Sequence, residues 1–124
     1  MSKETNKKTL VIGASENPSR YAFKAIKSLI NSGHEVVAIG RRAGKIEHVA
    51  IQTGLPELKD IDTVTLYINP SIQAEYESYI LSLKPKRIIF NPGTENPTLI
   101  QHAKKEGILS EIACTLVMLS IGDY

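Results

Sequence analysis

Leu10-Val11-Ile12-Gly13-Ala14-Ser15-Glu16-Asn17-Pro18 joins a short apolar run, through a glycine, to a turn of small and polar residues. A helical pattern begins near Ser19 or Arg20 and runs to about Ser32. Ala22, Ala25, Ile26, Leu29 and Ile30 recur at helical spacing, Lys24 and Lys27 fall on the other face, and Gly33 stops the helix. Strand, turn and helix in this order are how an open α/β sheet usually holds a phosphate-bearing cofactor. The glycine permits close backbone approach, while the helix start offers free N–H groups and partial positive charge.

Outward from this unit, strands and helices alternate. Thr9 to Ile12 is a buried strand by its unbroken apolar character, and Glu35 to Ile39 is a second, ended by Gly40. Within Arg41 to Glu57 the pattern is weak, and Val49 to Ile51 forms at most a short third strand. Thr63 to Ile68 is a strand closed by Asn69-Pro70, after which Ser71 is placed to N-cap a helix running to about Leu83. Arg87 to Phe90 is the next strand, followed by the turn Asn91-Pro92-Gly93. A helix from Pro97 or Thr98 to Glu106, a last strand over Ile108 to Ile112, and a terminal turn or helix over Leu116 to Ile121 complete the chain. Connections of a dozen residues or so demand parallel pairing. The expected fold is therefore α/β: a three-layer, doubly wound parallel sheet of about five strands. One Rossmann-like domain spans 9–124, after a flexible leader over 1–8.

The bulk numbers agree. At 124 residues the chain makes one domain, and its 42% apolar and 23% charged content is that of a globular protein. A net charge of +2, with scattered lysines and no interleaved aromatics, gives no reason to expect nucleic acid. No apolar run reaches the ~18 residues of a membrane span, and the polar, lysine-rich Met1 to Lys8 is not a secretory signal. The single cysteine, Cys114, fits a reducing cytosol, so a cytoplasmic location is expected.

Ligands of doubly wound sheets sit beyond the carboxyl ends of the strands, where strand order reverses. Three such ends carry distinctive residues: Gly13-Ala14-Ser15, Gly40-Arg41-Arg42 and Ile68-Asn69-Pro70. They should converge on one crevice. The dinucleotide fingerprint G-x-G-x-x-G is absent, and no acidic residue stands at the end of the second strand to accept a ribose hydroxyl. Arg41 and Arg42 occupy that place, with Lys45 shortly after. Guanidinium groups there favour a phosphorylated ribose, so NAD is disfavoured while NADP and coenzyme A stay open. A merely solvated loop is the plain alternative.

The run Val11 to Arg20 resembles the opening motif of the small bacterial CoA-binding proteins, stand-alone relatives of the CoA-binding domain of succinyl-CoA synthetase. The similarity continues through Gly54-Leu55-Pro56 with Leu58 and Ile61-Asp62, then Tyr67-Ile68-Asn69-Pro70, Asn91-Pro92-Gly93-Thr94 and Cys114. The resemblance implies that the turn Gly13 to Asn17 (Gly13, Ala14, Ser15, Asn17), with Ser19 and Arg20, holds a diphosphate. It puts Gly40, Arg41, Arg42 and Lys45 beside the adenosine and its 3′-phosphate. Ile68, Asn69 and Pro70 would flank the adenine or the pantetheine arm. Asn91 is a further candidate contact. This sequence departs from the family pattern in three places. Gly40-Arg41-Arg42 stands where Asn-Pro is frequent, Asn91 where Gln is common, and Ala113 where an Arg often precedes the cysteine.

Other chemistry is thin. His34, His48 and His102 lack metal-ligand spacing, and no cysteine cluster accompanies them, so no metal is expected. Cys114 reads either as a thiol near the crevice mouth or as a small buried apolar residue. Asp60 and Asp62 suit solvated capping at a strand start, and Tyr76 and Tyr79 suit partial packing against the sheet or a partner subunit. No nucleophile–base constellation stands out, and the phosphorylated histidine of succinyl-CoA synthetase belongs to a further domain. The expectation is a non-catalytic module that binds coenzyme A or an acyl-CoA as a small-molecule nucleotide ligand. It has no nucleic acid or membrane partner, and a homo-oligomer or an unidentified protein partner is left open. The alternative is an NADP- or acyl-CoA-dependent enzyme, or an enzyme subunit completed by a partner chain.

Overall fold

In a computed structural model that describes residues 6–124, the first strand, β1 (Thr9–Ile12), is buried at all four positions and lies at the centre of the sheet. Its unbroken apolar run follows from that place, since helices cover both faces. Seven strands pair in the order β3-β4-β2-β1-β5-β6-β7. The others are β2 (Val36–Ile39), β3 (Gly44–Ile46), β4 (Val49–Gln52), β5 (Thr63–Leu66), β6 (Arg87–Phe90) and β7 (Leu109–Ile112). Every neighbouring pair is parallel except β3 with β4, an antiparallel hairpin at one edge.

Alternation along the strands builds the two cores. Leu10, Ile12, Val64, Leu66, Ile88 and Phe90 meet Ile80, Leu99 and Ala103 on one face. These last come from α3 (Glu77–Ser82) and α4 (Pro97–Lys105). Val11 and Ala38 face the other way, against Ala22, Ile26 and Leu29 of α1 (Tyr21–Asn31). Leu119 of α5 (Thr115–Ser120) packs on that second face. The three-layer, doubly wound expectation holds. Each Leu or Ile fully removed from water contributes roughly 1.5–3 kcal/mol.

The sheet has seven strands rather than about five. The weakly patterned stretch after Gly40 folds into the β3–β4 hairpin, whose turn puts Glu47 in the left-handed region at φ 53°. With one buried apolar residue, Ile46, β3 shows no period that its sequence could announce. The expected helix from Ser71 to Leu83 is also two pieces. A short α2 (Pro70–Gln73) is capped not by Ser71 but by Asn69, whose Oδ1 accepts from the Ile72 amide at 3.0 Å. The chain then turns through 74–76 before α3 begins. Of the expected leader, residues 1–5 lie outside the described residues. Asn6 Oδ1 accepts from the Glu35 amide at 2.9 Å, and the Lys7 amide donates to His34 Nδ1 at 2.9 Å. That end of the leader is held by the fold.

Candidate functional site

Strand order places the switch point between β1 and β5, because the chain leaves β1 for β2 on one side and returns from β4 to β5 on the other. The loops beyond these strand ends touch. Gly13 has φ +101°, and a Cβ there would lie 2.8 Å from the Tyr67 carbonyl oxygen and 3.1 Å from Ile68 Cγ2. A Cβ at Gly40 would collide with the Ala14 carbonyl oxygen. The ends of the first, second and fifth strands thus bring Gly13 against Tyr67 and Ile68, and Gly40 against Ala14. The reason for glycine is different in kind: at Gly13 and Gly40 the close approach is between loops of the chain itself.

The turn is shaped from within. The amides of Gly13 and Ala14 both donate to the Ile39 carbonyl, at 2.9 and 3.0 Å, and are committed to β2. The Asn17 amide donates to Ser15 Oγ at 3.1 Å, and Asn17 Oδ1 accepts from the Ser19 amide and hydroxyl at 3.0 and 2.8 Å. Ser15, Asn17 and Ser19 therefore set the loop's path into α1. Arg20 at the N-cap position makes no side-chain cap, and no acidic residue occupies the first turn. By contrast α2 and α4 are capped by Asn69 and Asn96. The long helix that follows the turn keeps its leading N–H groups and its positive dipole end without a side-chain partner.

On the neighbouring loop Arg41, Arg42 and Lys45 are exposed, and neither arginine forms a salt bridge among the described residues. Glu16 reaches across from the turn, its Oε2 accepting from the Lys45 amide at 2.8 Å. This tie joins the two loops, and the sequence carried no sign of it. Ile68 is half-buried against the core, and Asn69 and Pro70 form the start of α2.

Asn91 sits differently from the other candidates. It is 2% exposed, and its amide nitrogen donates to Thr65 Oγ1 and the Leu66 carbonyl at 2.7 and 2.8 Å. Its Oδ1 accepts from the Thr115 amide at 2.9 Å, at the first residue of α5. This side chain clamps β5, β6 and α5 together. Gln73, also fully buried, does similar work: its Nε2 donates to the carbonyls of Ile68 and Thr94 at 2.9 and 2.7 Å. Sequence reasoning passed over Gln73, because nothing marks a helical glutamine as buried.

Beyond the ends of β5, β6 and β7 lies a cavity of about 240 Å³ lined by Tyr21, Tyr67, Asn91, Pro92, Cys114 and Leu116. The Tyr67 hydroxyl is buried and has no hydrogen-bond partner among the described residues; burial pushes its pKa up to about 12. Cys114 is half-buried at the N-cap position of α5.

The histidines lie apart from this region. His34 accepts from the Lys7 amide and meets the Tyr124 ring at a tilt of 54° with centroids 4.9 Å apart, His48 lies in the β3–β4 turn, and His102 Nδ1 is 2.6 Å from Glu77 Oε2. Tyr76 packs partly buried on the core, and the Tyr79 hydroxyl donates to the Pro56 carbonyl at 2.6 Å. Asp62 Oδ1 accepts from the Thr63 hydroxyl at 2.7 Å, and its backbone carbonyl accepts from the Lys86 and Arg87 amides. Among the described residues no three His, Cys, Asp or Glu side chains gather as a metal site, and no helix is long and apolar enough to cross a membrane.

A doubly wound domain with this strand order defines a class, the Rossmann-like α/β domains. Comparison with known proteins narrows it: the family described as "CoA binding domain" matches residues 7–120, and the chain belongs to that family. A solved structure titled only as an uncharacterized protein is 49% identical, with TM-score 0.93, covering 96% of this chain and 98% of its own. A hypothetical protein from Pyrococcus horikoshii OT3 is 22% identical with TM-score 0.84, covering 95% of this chain and 84% of its own. A Thermus thermophilus protein is 22% identical with TM-score 0.79, covering 98% and 92%. These last two likenesses speak to the fold alone. No curated protein matches the sequence.

Proposed function

We propose that this chain binds coenzyme A or an acyl-CoA non-covalently, as a small cytoplasmic binding or regulatory module with no reaction of its own. One observation carries the reading. In a chain of the CoA-binding domain family, the loops of Gly13, Gly40 and Tyr67 meet beside the uncapped start of α1. A diphosphate there would receive N–H groups at the end of an eleven-residue helix together with the exposed Arg20 guanidinium. Arg41 and Arg42, exposed and free of salt bridges among the described residues, suit the 3′-phosphate that distinguishes coenzyme A from its dephospho form. Ile68 offers an apolar wall for the adenine or the pantetheine arm. Among the described residues no pair of groups placed as nucleophile and base accompanies them, and the single cysteine suits a reducing compartment.

Calorimetric titration with CoA, dephospho-CoA, NADP, NAD and ATP tests the reading. CoA should bind most tightly, and a hundredfold excess over its Kd should stabilise the fold by about 2.7 kcal/mol. Dephospho-CoA should bind at least about tenfold more weakly, from the loss of charge-assisted bonds. Replacing both arginines with Ala should erase that difference. Equal affinity for the two ligands in the unaltered protein would remove Arg41 and Arg42 from the site, and tighter binding of NADP would replace the ligand.

A further inference from the structure

Glu16 is the only acidic residue between Gly13 and Arg20, beside the proposed diphosphate, and its charge opposes such a ligand. The structure gives that carboxylate another use. Its Oε2 accepts from the amide of Lys45 at 2.8 Å. Lys45 lies in β3, the edge strand of the sheet, where N–H groups lack a neighbouring strand on one side. Gly44 makes room for this contact. Its φ lies outside the left-handed region, so glycine is not needed there for backbone freedom. A Cβ, however, would lie 2.5 Å from Glu16 Cδ. The missing side chain leaves the carboxyl its place.

The same turn holds the other end of this segment. Gly40 sits against the Ala14 carbonyl, where a Cβ would collide, and its amide donates to the Gln52 carbonyl at 2.9 Å. Between the two attachments Arg41, Arg42 and Ala43 are exposed, and among the described residues they make no hydrogen bond or salt bridge. Beyond Lys45 the hairpin is anchored independently, by buried Ile46 and by the 2.8 Å pair of Glu47 with Lys27 of α1. Glu16 thus bears on the arginine-bearing span and not on the folding of the hairpin. An arginine already held near its phosphate loses less freedom on binding than one on a loose loop. Resting on the coenzyme A reading above, we propose that Glu16 is a positioning residue. By accepting from the Lys45 amide it fastens the 41–45 span to the phosphate turn, and so sets how strongly the site prefers a ligand that carries a 3′-phosphate.

Two measurements test this. Exchange of the Lys45 amide, followed by NMR without ligand, should accelerate about tenfold or more in Glu16→Ala, from loss of a charge-assisted bond. Calorimetry with CoA and dephospho-CoA then reads the ratio of their affinities, about tenfold in the unaltered protein. Glu16→Gln and Glu16→Ala remove the same charge, but only Gln keeps an acceptor oxygen. The ratio should stay at about tenfold or above in Glu16→Gln and fall to about threefold in Glu16→Ala. Gly44→Ala, which displaces the carboxyl without removing it, should lower the ratio as Glu16→Ala does. Lys45 exchange as slow in Glu16→Ala as in the unaltered protein, or a ratio that Glu16→Ala leaves at tenfold, would overturn the proposal while CoA binding stood. A ratio of one in the unaltered protein would instead overturn the arginine reading on which the proposal rests.

Discussion

At the amino ends of β1, β5 and β6 charged side chains of both signs gather, whereas beyond the carboxyl edge of the sheet Arg41 and Arg42 stand exposed without a salt bridge among the described residues. Arg87 is buried at the amino end, its Nε donating to Thr63 Oγ1 at 2.8 Å, its Nη1 3.6 Å from Glu111, and its guanidinium 4.3 Å from the centre of the Tyr124 ring. Thr9 and Tyr124 share a hydroxyl hydrogen bond of 2.6 Å, and Lys7 Nζ donates to the Tyr124 carbonyl at 2.7 Å. The wide hollow at this end is lined by Lys7, Lys86 and Arg87 but also by Asp62 and Glu111, so its charges compensate. The carboxyl end has an uncapped α1, exposed Arg41 and Arg42, and a cavity lined mostly by carbon. One end of the sheet balances its charges, and on the proposed reading the other receives the ligand.

Substitutions at the two ends should separate these roles. The largest effect is expected for Gly13→Val, which forces a β-branched residue to φ +101° with its Cβ against the Tyr67 carbonyl. Strain and overlap together should cost about 3 kcal/mol or more in a urea titration and abolish CoA binding. Full stability with full binding would show that the loops are not pinned at this glycine. Next, Arg87→Leu should cost about 1–3 kcal/mol of stability while leaving the CoA affinity unchanged, since only the amino end is altered. A loss of affinity matching the loss of stability would erase the distinction between the two ends.

A smaller effect is expected from pH. Burial, and then the nearby Lys7 and Arg87 charges, hold His34 below its ordinary value of 6.5, against a lesser opposite pull from Asp62. The folded protein therefore prefers the neutral ring, while the unfolded chain takes up a proton as pH falls below about 6.5. Stability from this group is complete above that pH and declines on acidification towards the folded pKa. His34→Gln should flatten the dependence of the urea midpoint over this window, and an unchanged slope would remove His34 as its source.

Much of the architecture was written in hydropathy. β1, β5 and β6 are buried on both faces and read as unbroken runs, and the spacing of Ala22, Ala25, Ile26 and Leu29 marked the buried stripe of α1. Of the β3–β4 hairpin, β4 matches the short strand expected over Val49 to Ile51, and β3 escaped because Gly44-Lys45-Ile46 is an edge strand with a single core residue. The break between α2 and α3 escaped because Gln73, which ends α2, is held by the nearby Ile68 carbonyl and by that of Thr94, and only the folded chain brings Thr94 there. The convergence of Gly13, Gly40 and Ile68 was legible, because the rule for doubly wound sheets names the loops that meet. Asn91 was expected as a candidate contact, while its observed bonds all run inward to β5 and α5. The cavity draws its walls from residues 21, 67, 91–92, 114 and 116, and only the folded chain brings these together.

The most direct test of the account is an amide NMR titration of the 15N-labelled protein with coenzyme A. Shifts concentrated at Ser15 to Tyr21, Arg41, Arg42 and Tyr67 to Asn69, with Lys7, His34 and Arg87 unmoved, are the predicted result. Shifts centred on Lys7, His34 and Arg87, or a spectrum that saturating ligand leaves unaltered, would contradict it.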